Sequence, residues 1–218
     1  MDRNTARYQF VAALALAATL FAAAGCRSIF TTVAYLMRGT TVDAEYEGLR
    51  GKKVAVVCRP TASLTFGNPT AHQELARQLS TLLRTNVSKI HVIDQQKIAA
   101  WTDENDWGEY PEVGKAMKAD MVVGVDLLGF SLYRGQTLFQ GQANVNVTVY
   151  DCANGGKLVY EKQLPQTLWP PNTGIATSEK PESQFRREFI AVLADQIGRH
   201  FYAHDRHADF ARDADALH

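Results

Sequence analysis

The sequence predicts an α/β fold, a single mixed sheet with helices packed on it in the order β-α-β-α-α-β-β-β-α, and three observations carry that expectation. KKVAVVC at 52–58 is an apolar run of strand length without polar alternation, as in a strand buried on both faces. TAHQELARQLSTLLRTNV at 70–87 repeats its apolar residues at helical spacing, with Ala71, Leu75, Leu79, Leu82 and Leu83 on one stripe. TLFQGQANVNVTVYD at 137–151 alternates instead with period two, Ala143, Val145, Val147 and Val149 on one face and Asn144, Asn146 and Thr148 on the other.

Taken in order, the remaining segments complete the pattern. RPTASLTFGNPT is a loop whose Asn68-Pro69 suits a helix start. KIHVID reads as a second short strand, and QQKIAAW as a short helix capped by Asp94. After the acidic loop TDENDWGEYP comes a helix, PEVGKAMKA, leading into the strand DMVVGVDLLGFSLY. Asn154, Gly155 and Gly156 form a turn, so residues 137–164 make a hairpin. A proline-rich loop, LPQTLWPPNTGIATSEK at 164–180, precedes a last helix over 181–205. Its buried stripe is Phe185, Phe189, Val192, Leu193, Ile197 and Phe201.

The 218 residues contain 23 basic and 23 acidic side chains, a net charge of zero that gives nucleic acid or an anionic surface no general attraction. With 46% hydrophobic and 21% charged residues this is a folding composition. The cysteines, Cys26, Cys58 and Cys152, are too few for a disulfide scaffold and lack the spacing of a zinc or redox motif.

Residues 1–25 have a positive start with Arg3 and Arg7, the apolar stretch FVAALALAATLFAAA, and small residues before Cys26. A fifteen-residue helix rises about 22 Å, short of the roughly 30 Å hydrocarbon core, so the segment reads as a signal peptide. AAGC at 23–26 resembles the lipobox of bacterial lipoproteins. That resemblance implies that Cys26 becomes the mature N-terminus and carries lipid. Ala23 stands where the motif usually has leucine, which leaves ordinary cleavage after the alanines at 22–24 as the alternative. Arg27 in place of aspartate favours the outer membrane over inner-membrane retention. The expected organisation is a signal peptide at 1–25, a membrane-proximal tether at 26–50, the α/β domain at 51–205 and a mobile tail at 206–218.

GKKVAVV opening the domain, then a helix, IHVID, a helix, ADMVVGVDL and the hairpin VTVYDCANGGKLVYE form a pattern. It resembles the periplasmic α/β domain shared by curli-secretion lipoproteins, lipoprotein activators of penicillin-binding proteins and the N-terminal domain of the Tol-Pal translocation protein. The resemblance covers residues 51–203 and implies an assembly, docking or regulatory role.

No nucleotide-binding, zinc-protease or serine-hydrolase motif is present. Asp103, Glu104, Asn105 and Asp106 start like a calcium loop, but Trp107 and Gly114 occupy ligand positions, so a solvated loop is expected. His200 and His204 share the spacing of a metal pair with no further ligands to complete it, so no metal and no cofactor are expected. Asp126 in an apolar strand reads as a hydrogen-bonded carboxylate at a sheet edge. Cys58 and Cys152 read as free thiols, with a disulfide as the alternative. The expected function is a lipid-anchored, non-enzymatic envelope module with a protein or cell-wall partner and no nucleic acid, the alternative being a periplasmic hydrolase or transferase. Partner binding is expected at Trp169, Pro170 and Pro171 in the long loop, because tryptophan is enriched in binding hot spots, the alternative being that Trp169 folds back to cover the sheet edge and the loop is a connector.

Overall fold

The computed structural model describes residues 41–61 and 68–206. The chain divides into two compact units, Met1–Thr41 and Val42–His218, and the fold is that of the second. The expected signal peptide, Cys26 and residues 207–218 of the expected tail lie outside the described residues.

Strand β1 (Lys53–Pro60) is followed by helix α1 (Ala71–Asn86), the two-residue strand β2 (His91–Val92), and helices α2 (Gln95–Glu104) and α3 (Tyr110–Met117). Long strands β3 (Met121–Arg134) and β4 (Leu138–Asp151) come next, then β5 (Lys157–Gln163). The short β6 (Thr167–Trp169) and β7 (Ile175–Ala176) lead to the final helix, α4 (Glu182–Gly198). The sheet order is β2-β1-β3-β4-β5, with β6 and β7 also paired to β4. Strands β2 and β3 lie parallel to β1, and all later pairings are antiparallel, so the sheet is mixed as expected.

The polarity of β1 explains the layering. Val54, Val56 and Cys58 join a large core with Leu75, Leu79 and Leu83 of α1 and Phe185, Phe189 and Leu193 of α4. Ala55 and Val57 face the other way, into a smaller core with Ile98 of α2 and Tyr110 and Val113 of α3. A strand with no polar face requires cover on both sides, and the two parallel crossovers supply it from opposite directions. Asp94 caps α2 as expected, its carboxylate accepting from the Gln96 amide at 2.9 Å.

The structure corrects the sequence reading at several points. Residues 42–50, expected as tether, belong to the domain: Leu49 is fully buried, and Tyr46 lies 5.3 Å from Tyr160 and edge-on to Phe201. The last helix ends at Gly198, earlier than its apolar stripe suggested. The loop at 164–180 is not structureless, because β6 and β7 pair with β4.

That pairing turns Trp169 inward. Its ring is buried and stacked on Phe185 at 5.3 Å, and Phe185 in turn stacks on Phe139 at 4.9 Å. An anchor for a partner has to be accessible, so the expectation of Trp169 and Pro170 as exposed contacts does not hold. Both are buried and only Pro171 faces solvent. Trp169→Ala is expected to cost about 3–5 kcal/mol of unfolding free energy through the cavity it leaves. Denaturant unfolding monitored by circular dichroism checks this, and an unchanged midpoint would contradict the stacking.

Candidate binding cleft at the strand ends

In a doubly wound sheet, ligands bind in the crevice beyond the carboxyl ends of parallel strands, where consecutive connections leave in opposite directions. The order β2-β1-β3 creates such a point at the carboxyl end of β1, beside the middle of β3, which runs on to Arg134. Two features sit there, a polar clasp over β3 and an open notch beside β1.

The clasp is built around Asp126. Register places Arg59, Asp126 and Asn146 side by side on β1, β3 and β4. One carboxylate oxygen, Asp126 Oδ1, accepts from Arg59 Nε at 3.2 Å, Arg59 Nη2 at 3.1 Å and the Tyr110 hydroxyl at 2.8 Å. Arg59 Nη1 donates to the Gly108 carbonyl at 2.8 Å, and the guanidinium lies 4.8 Å from the Tyr110 ring centroid and 5.6 Å from that of Trp107. Tyr110 reaches Asp126 because Gly124 has no side chain: a Cβ there would meet the Tyr110 ring at 2.8 Å and Thr148 Oγ1 at 2.7 Å. Burial pushes the Tyr110 hydroxyl far above its ordinary pKa, and the neighbouring Asp126 charge adds to it. The phenol therefore stays protonated as a donor. Asp126 is a hydrogen-bonded carboxylate as the sequence suggested, but it stands in the interior of the sheet and not at an edge.

The notch is a cleft of about 280 Å³ between α1 and α2, floored by β1. It exists because β2 is only two residues long and pairs with Lys53 and Val54 alone. Beyond that point the outer edge of β1 has no strand beside it among the described residues. Arg59, Trp107, His72, Gln73, Arg77 and Asp103 supply the polar rim. The His72 Nδ1 atom is buried and has no hydrogen-bond partner among the described residues. Burial lowers the His72 pKa, partly opposed by Asp103.

The other sequence candidates fall elsewhere. Cys58 is buried in the large core and Cys152 borders the small one, and both are free thiols. Burial pushes the Cys58 thiol far up, so no thiolate forms there at neutral pH. Asp103, Glu104, Asn105 and Asp106 are exposed at the end of α2, and no group of acidic, histidine or cysteine side chains suited to a metal occurs among the described residues.

His200 Nδ1 sits 3.2 Å from a Glu45 oxygen, and Glu45 also takes Lys162 at 3.0 Å and the Tyr160 hydroxyl at 3.1 Å. This cluster fixes the segment before β1 to β5 and to the end of α4. It was not legible in sequence, since Glu45 and Lys162 are 117 positions apart.

No protein-family model matches the chain, and no curated protein matches it. Among solved structures it is similar to a PelC dodecamer from Paraburkholderia phytofirmans, with 13% identity, 74% of this chain and 95% of that chain covered, and a TM-score of 0.42. It is also similar to lipoprotein GNA1162 from Neisseria meningitidis, at 10% identity over 66% of this chain and 96% of that one, with a TM-score of 0.42. A third is the LpoB C-terminal domain from Salmonella enterica, at 12% identity over 54% and 83%, with a TM-score of 0.38. At these identities and TM-scores the likeness assigns no function.

Removing the clasp's acceptor leaves a buried phenol and a guanidinium without their partner, so Asp126→Ala is expected to destabilise by about 1–3 kcal/mol. Asp126→Asn keeps an acceptor oxygen and is expected to lose less. Equal midpoints for the two variants in urea would refute that ordering. Burial lowers the pKa of both His72 and His200, with Asp103 and Glu45 respectively opposing it. The unfolded chain therefore binds more protons than the folded one below about pH 6.5, and stability falls as pH falls through that region. Thermal melts between pH 7.5 and 5.5 should show a decline that His72→Gln with His200→Gln flattens.

Proposed function

We propose that this protein is a lipid-anchored, non-enzymatic binding module of the bacterial cell envelope. Cys26 holds it to the membrane, and the domain from Val42 onward faces a protein or cell-wall partner. The observation that carries the reading is AAGC at 23–26 behind an apolar stretch too short to span a bilayer. A diacylated and N-acylated cysteine supplies more than one chain, which is what stable anchoring takes. Arg27 favours the outer membrane as the location. Among the described residues no helix is long and apolar enough to cross a membrane.

The cleft supports binding over turnover by its chemistry. One oxygen of Asp126 takes three donors, and the Cys58 thiol, buried in the large core, is held as the unreactive neutral form. Neither is disposed to act as a base or a nucleophile. With no net charge the chain has no electrostatic footprint for nucleic acid.

Mass spectrometry of the protein purified from bacterial membranes is expected to show loss of residues 1–25 and an acyl increment on Cys26. Cys26→Ser should move the protein out of the membrane fraction. A mature chain beginning before Cys26, or a Cys26→Ser variant that stays membrane-bound, would refute the anchor. Measurable hydrolysis of generic ester, phosphate or glycoside substrates that Asp126→Asn abolishes would refute the non-enzymatic reading.

A further inference from the structure

The notch beside β1 is a strand position left open. Along β1 the main chain alternates sides. The Asp120 amide donates to the Lys53 carbonyl from the β3 side, while the His91 and Ile93 amides donate to the Lys52 and Val54 carbonyls from the β2 side. Residues 52, 54, 56 and 58 therefore turn both their amide and carbonyl toward β2. Since β2 stops at Val92, Val56 and Cys58 look into the notch. The Val56 carbonyl is satisfied by the Gln95 side-chain amide at 2.9 Å, which also holds Ser80 Oγ at 2.8 Å. Cys58 has no such substitute. It is 7% exposed, and its amide and carbonyl have no hydrogen-bond partner among the described residues. Buried main-chain groups are almost always paired, so an open pair on a strand edge marks a place for another main chain.

The walls state what that main chain should carry. A strand added here would send alternate side chains to the two faces of the sheet, one toward α1 and the next toward α2. The α1 wall presents Arg77, whose guanidinium makes no ion pair or hydrogen bond among the described residues, and half-buried His72. The α2 wall presents Asp103. Between these rims the walls mix small apolar side chains, Ala76 on one side and Ile98 and Ala99 on the other, with the neutral polar Gln73, Gln96 and Thr102. From Val56 to Pro60 the floor is about 13 Å long, room for about four residues.

We propose that this notch binds an extended peptide segment of an envelope partner, which adds a short strand to β1 through Cys58 and sets an acidic side chain against Arg77 and an adjacent basic one against Asp103. This deepens the reading as a binding module by naming the partner's chemistry. It does not depend on how the chain is held to the membrane, so a failure of the Cys26 anchor leaves it standing.

The test uses the full chain in detergent and a fluorescein-labelled, end-blocked peptide Ala-Glu-Lys-Ala, with binding read by fluorescence anisotropy. Saturable binding is expected, with slowed hydrogen exchange at the Cys58 amide. Methylating the two central peptide nitrogens removes the main-chain donors while keeping both charges, and should abolish it. Arg77 is exposed, so Arg77→Glu is expected to fold normally, which its melting curve checks, and to weaken binding about 3- to 10-fold. A peptide with lysine in place of glutamate should recover the loss on that variant. The proposal is overturned by an absence of saturable binding, by equal binding of the N-methylated peptide, by free glutamate and lysine competing as well as the peptide does, or by exchange protection that leaves Cys58 untouched.

Discussion

Everything in this fold depends on one constraint, that β1 has no face for water. Val54, Ala55, Val56 and Val57 are all buried, alternately toward α1 with α4 and toward α2 with α3. Burying each of the three valines contributes about 1.5–3 kcal/mol only if both sides are sealed. The chain achieves this with two crossovers on opposite faces, β1 to β2 through α1 and β2 to β3 through α2 and α3. The same arrangement produces the crevice at the strand ends, so the site is a by-product of covering the strand.

The second layer of organisation is polar. Where the apolar run of β1 ends, Arg59 meets Asp126 in register on β3, and Tyr110 and Trp107 close over the guanidinium. A charge pair at the end of a buried strand is costly to desolvate unless its remaining donors are used. Here the Gly108 carbonyl and the two aromatic faces take up what Asp126 leaves over. The clasp holds the start of α3 against the sheet and gives the cleft a rigid wall, whereas the opposite edge of β1 stays open for lack of a longer β2. One side of the strand end is thus saturated with contacts and the other is not, and that asymmetry distinguishes a structural feature from a surface available for binding.

At the far side of the domain the long loop and the N-terminal segment play similar parts. Trp169 is drawn onto Phe185 because β6 adds itself to β4, and Tyr46 is drawn onto Tyr160 and Phe201 because Glu45 meets Lys162 and His200. Both segments resemble connectors in composition. Both became structural once an aromatic ring could reach a core with a gap for it.

By itself the sequence determined what depends on neighbours along the chain. Periodic patterns and unbroken apolar runs located the long strands and helices, Asp94 announced its cap, and the unbroken valines of β1 announced a strand covered twice, since those signals act over a few residues. The apolar stretch ending in AAGC likewise carries its expectation of a processing segment without reference to any fold. Only the tertiary structure decided what depends on distant partners. Asp126 could be recognised as a polar residue in an apolar strand, but its partners Arg59 and Tyr110 come from 67 and 16 positions away. Whether Trp169 pointed out or in depended on Phe185 of α4, packed on the same face of the sheet. The notch was invisible because it arises from how early β2 stops, a length that pairing to β1 sets and no local pattern encodes.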